Sequence, residues 1–140
     1  MIGILIISHG DFARGMLSAA ELISGEQEKL EVLGLYPGDS PEDFEQKILA
    51  TLKKLDDGDG VIGFVDFLGG SPASTAMKVL KEKLFPCITG ANMPMLTEAL
   101  LDREDPGLTL DQIAAQCVTA GAEGMTRLDE VVKNIIAKNA

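Results

Sequence analysis

The stretch IGILIISHG, residues 2–10, decides the fold of this chain. Its first six residues form an uninterrupted run of apolar side chains and glycine, rich in isoleucine. Such a run is typical of a strand buried on both faces of a parallel sheet, and it is far too short to cross a bilayer. A helical pattern follows from about Ala13 to Ser24, and Gly25 is placed to end it. The N-terminal segment therefore predicts a strand, a short loop and a helix.

Beyond residue 25 the chain alternates between short strand patterns and amphipathic helix patterns. Strands are predicted over residues 30–36, 61–65 and 86–89, and helices over about 40–55, 71–84, 93–103 and 109–124. Residues 126–132 favour a last strand over further helix, and a tail follows at 133–140. Alternation over short connections predicts a single α/β domain, residues 1–132, with an open, mainly parallel sheet and helices on both faces.

Composition excludes several classes of protein. Of the 140 residues, 46% are apolar and 24% charged, which is typical of a soluble globular domain. The net charge of −10 argues against nucleic acid and against an anionic membrane surface as partners. One histidine and two distant cysteines, Cys87 and Cys117, provide no zinc ligand set, and we expect no metal and no cofactor. No basic leader precedes the first apolar run, so we expect a cytoplasmic protein without direct membrane insertion.

Two ionisable residues are predicted at the edge of the sheet where parallel strands end, the usual place for ligand chemistry in open α/β folds. His9, the only histidine, follows the first strand, and Asp66 follows the third. A lone histidine is more often an ordinary core or surface residue, and a loop aspartate more often caps a helix or turn. The functional alternative is a neutral imidazole acting as a nucleophile toward phosphorus, oriented by the carboxylate through one ring nitrogen.

The turn Gly69-Gly70-Ser71-Pro72 lies at the same edge and also has two interpretations. It is a flexible turn with a helix-capping serine and a proline in the first helical turn. It also presents free backbone N–H groups and the positive end of a helix dipole, which suit a phosphoryl dianion. Ser71 is not a hydrolase nucleophile, because the G-x-S-x-G pattern is missing.

Four segments in this order and spacing resemble the mannose family of IIA components of the phosphoenolpyruvate-dependent sugar phosphotransferase system. They are ILIISHG (4–10), VDFLGGSP (65–72), GANMPML (90–96) and GAEG (121–124), and the resemblance extends over residues 1–130. The resemblance implies a homodimer that exchanges a C-terminal antiparallel edge strand. It also implies a phosphotransferase that works through a phosphohistidine intermediate. His9 would be phosphorylated on Nε2, with Asp66 as its carboxylate partner and Gly69, Gly70 and Ser71 around the phosphoryl group.

The resemblance further implies two protein partners in sugar uptake. The phosphocarrier protein HPr would be the donor and the IIB component the acceptor, either on a separate chain or in sequence cut from this one. Apolar residues at the predicted loop tips are candidates for docking these partners, with ordinary core packing as the alternative. These residues are Phe12, Phe67, Leu68, Met93, Pro94 and Met95. Phe67 and Leu68 are given no chemical role.

Three alternatives stay open at this point. The first is a similar IIA-like domain that feeds dihydroxyacetone kinase, against which the GGSP turn counts. The second is a receiver-like domain phosphorylated on Asp66, although the paired acids and the late lysine of receivers are missing. The third is a non-catalytic module that binds a ligand at the same sheet edge. The sequence does not name the sugar.

Overall fold

Four strands and six helices follow one another along residues 1–140, all of which the computed structural model describes. The strands are β1 (Gly3–His9), β2 (Leu30–Leu35), β3 (Val61–Val65) and β4 (Cys87–Thr89). The helices are α1 (Phe12–Ser24), α2 (Pro41–Leu55), α3 (Ser71–Glu82), α4 (Met93–Asp102), α5 (Leu110–Glu123) and α6 (Leu128–Asn139). None of the six helices has the length and apolar character that crossing a membrane requires.

The four strands form one parallel sheet in the order β2-β1-β3-β4. The chain moves to one side of β1 to add β2 and to the other side to add β3, so the strand order reverses between β1 and β3. The carboxyl ends of these two neighbouring strands therefore form the crevice in which open α/β sheets bind ligands. His9 ends β1, and Asp66 follows β3 directly.

Both faces of the sheet are covered by helices, as the sequence predicts. Alternate side chains of β1 point to opposite faces. Ile4 and Ile6 pack in one cluster with α1, α4 and α5, whereas Leu5 and Ile7 pack in another with α2 and α3. All four side chains are completely buried, which explains why the β1 sequence is continuously apolar. The predicted capping box at Thr109 and Gln112 is present at the start of α5.

The prediction of a last strand over residues 126–132 is wrong. The segment lies at the start of α6, which crosses the expected boundary at residue 132 and continues through the expected tail to Asn139. The physical reason is a helical spacing of apolar residues, with Leu128, Val131 and Ile135 three and four positions apart. Acidic residues in the first turn and Lys138 in the last complement the helix dipole. The sheet has no antiparallel edge strand, and exchange of a strand between copies is not seen.

Candidate functional site

His9 and Asp66 meet in the crevice between β1 and β3. One carboxylate oxygen, Asp66 Oδ2, accepts the backbone N–H of His9 at 2.8 Å and lies 2.6 Å from ring nitrogen Nδ1. The Asp66 side chain is only 11% exposed, whereas that of His9 is 47% exposed. The structure thus brings together the two residues that the sequence placed at neighbouring strand ends, with the acid inside and the imidazole outside.

The charge state of Asp66 determines which nitrogen of His9 carries the proton. Burial by itself raises the pKa of Asp66, but hydrogen bonds from the His9 backbone, the His9 ring and the Phe67 backbone outweigh it and leave that pKa below its usual value. An ionised carboxylate only accepts hydrogen bonds. Nδ1 must therefore carry the hydrogen that it shares with Asp66, and the lone pair of the neutral ring lies on Nε2.

Gly70 lies directly against the free nitrogen of His9. A Cβ atom added at residue 70 would come within 2.7 Å of Nε2, and the backbone of Gly70 is left-handed with φ +88°. Only glycine allows both this conformation and this approach. Gly70 is the N-cap of α3, so the positive end of that helix lies beside Nε2.

Backbone donors at the start of α3 are free. Neither Ser71 nor Ala73 donates its backbone N–H to an acceptor within the protein, as is normal for the first turn of a helix. The Ser71 side chain is exposed. The hydroxyl of Ser74 instead donates to the Ser71 carbonyl at 3.2 Å. The predicted Gly69-Gly70-Ser71 turn therefore contributes mainly backbone groups to the site.

Phe67 packs against His9, a contact that the sequence did not predict. The two ring centroids are 5.4 Å apart, with the planes tilted by 36°. A Cβ at Gly69 would lie 2.7 Å from the Phe67 ring, so that glycine makes room for the aromatic side chain. Phe67 is still 54% exposed, and its neighbour Leu68 is 71% exposed at the loop tip. The two residues were expected only as docking residues, because nothing in their spacing pointed to the imidazole.

The other predicted docking residues lie apart from this loop. Phe12 and Met93 line an apolar groove of about 440 Å³ between α1 and the loop before α4. Pro94 is half-buried and packs closely against Gly124, and Met95 is buried in the core. Phe12, Phe67 and Leu68 are therefore exposed at the surface, Met93 is half-buried, and Met95 is not available.

Ser8 supports the histidine loop and was not singled out from the sequence. Its side chain is completely buried, and its hydroxyl oxygen accepts the backbone N–H of Ala13 at 2.8 Å. The same hydroxyl donates to the carbonyl of His9 at 3.1 Å. The buried Ser8 side chain thus holds the turn from β1 into α1 in place. A serine at the end of an otherwise apolar strand is the signal that could have identified it.

Comparisons with known proteins agree on one family. The family model described as "PTS system fructose IIA component" matches residues 3–116. The mannose-specific EIIAB component of Escherichia coli K12 is 38% identical over 128 residues, which are 91% of this chain but 39% of that protein. The fructose-specific EIIA component of Bacillus subtilis 168 is 30% identical over 105 residues, 74% of this chain and 72% of that protein. A phosphotransferase system EIIA crystal structure from Streptococcus agalactiae superposes with a TM-score of 0.81 at 29% identity, covering 93% of this chain and 99% of that one.

Proposed function

Since this chain belongs to the mannose family of phosphotransferase-system IIA components, we propose that it carries a phosphoryl group on Nε2 of His9. Phospho-HPr is the donor in this proposal, a IIB component is the acceptor, and the transfer takes place in the cytoplasm during sugar uptake. One observation carries the proposal most directly. The ionised Asp66 engages Nδ1 at 2.6 Å and so leaves Nε2 as the nucleophile, next to the N-terminus of α3.

The transfer step exchanges one phosphorus–nitrogen bond for another. The Nε2 lone pair attacks phosphorus, the bond from phosphorus to the donor breaks, and its electron pair returns to the donor. Nδ1 keeps its hydrogen, so the His9 ring becomes positively charged. The Asp66 carboxylate, 2.6 Å from Nδ1, balances that charge. By the reverse of this step, the phosphoryl group leaves Nε2 for the IIB component, and His9 is again unphosphorylated.

The surroundings of Nε2 suit a group that must be held and then released. The loops after the four strands contain no lysine or arginine, so no fixed cation of these loops clamps the phosphoryl group. The free N–H groups of Ser71 and Ala73, with Gly69 and Gly70 allowing close approach, provide the hydrogen bonds and the helix dipole. Backbone donors of this kind favour an anion without the strong attachment of an ion pair.

Partner docking requires an exposed apolar surface around the histidine. Phe12, Phe67 and Leu68 provide exposed side chains, and the half-buried Met93 and Pro94 add to them, because all five lie on the loops and helix starts at the same edge as His9. We propose that HPr and the IIB component contact this surface in turn.

We also propose a homodimer, and α6 provides the supporting observation. Every residue of α6 is exposed, including a stripe of apolar side chains, and a helix of 12 residues is only marginally stable in water by itself. Its acids are in the first turn and Lys138 is in the last, so antiparallel pairing with a second α6 sets opposite charges against each other. Light scattering should give twice the chain mass of 14.9 kDa, and Ile135→Asp should give a monomer. A wild-type monomer would contradict this part of the proposal.

The main proposal is tested by reconstituting transfer from phosphoenolpyruvate through enzyme I and HPr. Intact mass should show one added phosphoryl group that is lost in acid, and His9→Ala should show none. Thermal unfolding of His9→Ala should match the wild type, because the side chain is half exposed. Adding the cognate IIB component should then remove the group from the wild-type protein.

Each other outcome has a definite meaning. Wild-type protein that stays unmodified beside active HPr would overturn the proposal. Label that persists in His9→Ala but disappears in Asp66→Asn would indicate an aspartyl phosphate. Label that moves to a dihydroxyacetone kinase subunit and not to a IIB component would place the protein in that neighbouring pathway.

A further inference from the structure

The loop that carries His9 is attached to β2 as well as to β3. The backbone N–H of Gly10 donates to the carbonyl of Leu35 at 2.8 Å, which continues the sheet one residue past β1. The phenol O–H of Tyr36 then donates to Asp11 Oδ1 at 2.5 Å. Both contacts lie on the side of the loop opposite to Asp66. His9 therefore sits between two points of attachment, one on each neighbouring strand.

Tyr36 is itself held in place by the turn that follows it. Its backbone N–H donates to Asp39 Oδ2 at 2.8 Å, and the Asp39 N–H donates back to the Tyr36 carbonyl at 3.0 Å. Its ring lies beside Gly34, where an added Cβ would come within 3.1 Å of the ring and 2.2 Å of the Gly10 carbonyl. Only glycine at residue 34 leaves room for both the ring and the histidine loop.

Asp11 is left free for this contact. It is the N-cap residue of α1, a position at which an aspartate usually accepts a backbone N–H of the first turn. Its side chain makes no such capping bond, and Ser8 accepts the N–H of Ala13 in its place at 2.8 Å. The carboxylate of Asp11 instead faces the phenol of Tyr36.

We propose that the hydrogen bond from Tyr36 to Asp11 is a positioning contact that holds the His9 loop in the geometry needed for phosphoryl transfer. This inference rests on the proposed function of His9. Without the Tyr36 contact, only the Gly10 to Leu35 backbone hydrogen bond would hold the loop on the β2 side, and Nε2 would spend less time beside Gly70. The hydrogen bond to Asp11 also raises the pKa of Tyr36, so the phenol keeps its proton throughout the physiological range.

The test is a double-mutant cycle on transfer from phospho-HPr. Tyr36→Phe removes the donor but keeps the ring beside Gly34, and Asp11→Ala removes the acceptor. Each change should slow transfer about fivefold, the equivalent of about 1 kcal/mol for one hydrogen bond. The double variant should be no slower than either single variant, because all three lack the same contact. Asp11→Asn, whose amide oxygen still accepts, should recover most of the rate.

Positioning is separated from docking by the two kinetic parameters. The rate at saturating phospho-HPr should fall about fivefold in Tyr36→Phe, as expected from the loss of one hydrogen bond, while the KM for phospho-HPr should not change. A raised KM with an unchanged saturating rate would overturn the inference, because Tyr36 would then contact the partner. Equal loss in Asp11→Asn and Asp11→Ala would also overturn it, because the charge and not the hydrogen bond would matter.

Failure of this inference can be told from failure of the proposed function. Hydrogen exchange of the Gly10 amide needs no phosphoryl donor, and it should be faster in Tyr36→Phe than in the wild type. If the wild type accepts no phosphoryl group, the proposed function fails whatever the exchange shows. If the wild type is phosphorylated while Tyr36→Phe exchanges and transfers at wild-type rates, only the positioning role fails.

Discussion

The two edges of the sheet are built in opposite ways. At the carboxyl edge the polar groups are left available: the His9 ring is about half exposed, and the first N–H groups of α3 have no acceptor. At the amino edge the guanidinium of Arg103, which is 8% exposed, is hydrogen-bonded within the protein through both terminal nitrogens, and only its Nε has no partner. The guanidinium donates to the carbonyls of Ile2, Glu28 and Lys29 and to the side chain of Gln27.

Under the proposed function, this difference means that one parallel sheet separates stability from chemistry. The four acceptors of Arg103 belong to the segments that lead into β1 and β2, so the amino edge fixes where these strands begin. The carboxyl edge fixes only the orientation of His9 and leaves Nε2 and the helix donors open. Substitutions at the amino edge should therefore change stability without changing transfer, whereas substitutions at the carboxyl edge should change transfer.

Asp66→Asn should cause the largest change in transfer, together with a smaller loss of stability, because the carboxylate also accepts three hydrogen bonds in the folded protein. An asparagine amide no longer requires Nδ1 to carry the hydrogen, and it provides no charge to balance the phosphorylated ring. The analogous change in a catalytic triad costs about 10⁴-fold, and we expect a loss of about 10³-fold here. Asp56→Asn is the matched control, because Asp56 at the amino edge also has a lowered pKa, caused by the N–H groups of Gly58 and Gly60. Loss of transfer in Asp56→Asn would contradict the separation.

Arg103→Met should cause the next largest change, and only in stability. It leaves four acceptors without their donor, and we expect the free energy of unfolding to fall by about 3 kcal/mol. Chemical denaturation at fixed protein concentration measures this, with exposed Lys53→Met as a control for the lost charge. Transfer by the folded fraction should stay at the wild-type rate. A slowed transfer in folded Arg103→Met would show that the two edges are coupled.

Gly70→Ala should lose stability, because strain at a left-handed residue costs about 1–3 kcal/mol. It should also slow transfer by about 10-fold to 100-fold, because the added methyl group meets Nε2 and misplaces the ring. Gly25→Ala separates the two causes. Gly25 has φ +82° against +88° for Gly70, but a Cβ there meets nothing within 4 Å. Both variants should lose stability, and only Gly70→Ala should lose transfer. Equal transfer rates in the two variants would show that Gly70 does not contribute to the site.

Asp102→Asn should cause the smallest change, a gain in stability of about 0.5–1 kcal/mol at neutral pH. Asp102 is buried at the last turn of α4, and its Oδ2 has no hydrogen-bond partner. Burial and the nearby Asp105 raise its pKa. An acid whose pKa is raised in the folded state stabilises the protein at pH values below its unfolded-state pKa of about 3.9. This stability is lost as the pH rises through the folded-state pKa, where Asp102 becomes charged. The gain should therefore disappear below about pH 4, and a gain that persists there would contradict the assignment.

The sequence predicted the sheet, both helix layers and the meeting of His9 with Asp66. It did so because β1 is buried on both faces and therefore continuously apolar, and because parallel strands end at one edge. The contact of Tyr36 was beyond such reasoning. It joins Tyr36, which follows β2, to Asp11, which follows β1, and no spacing rule connects these two residues.

The prediction of a strand in the C-terminal segment was wrong for the opposite reason. Within residues 126–132 the apolar residues, among them Leu128 and Val132, fit either a strand or a helix pattern, and the helical spacing becomes clear only when Ile135 is included. In β1 the neighbouring strands settle the choice, but every residue of α6 is exposed and no packing selects a conformation. Local helix propensity and the charges at the two ends of the segment then favour the helix.

The central claim is that Asp66 fixes Nδ1 and so directs the phosphoryl group to Nε2 of His9. Nitrogen-15 NMR of the imidazole in the phosphorylated protein tests this most directly. The account predicts phosphorus coupled to Nε2, a hydrogen retained on Nδ1, and loss of that Nδ1–H signature in Asp66→Asn. Phosphorus on Nδ1, or a phosphoryl group found on a carboxylate instead of the ring, would contradict it.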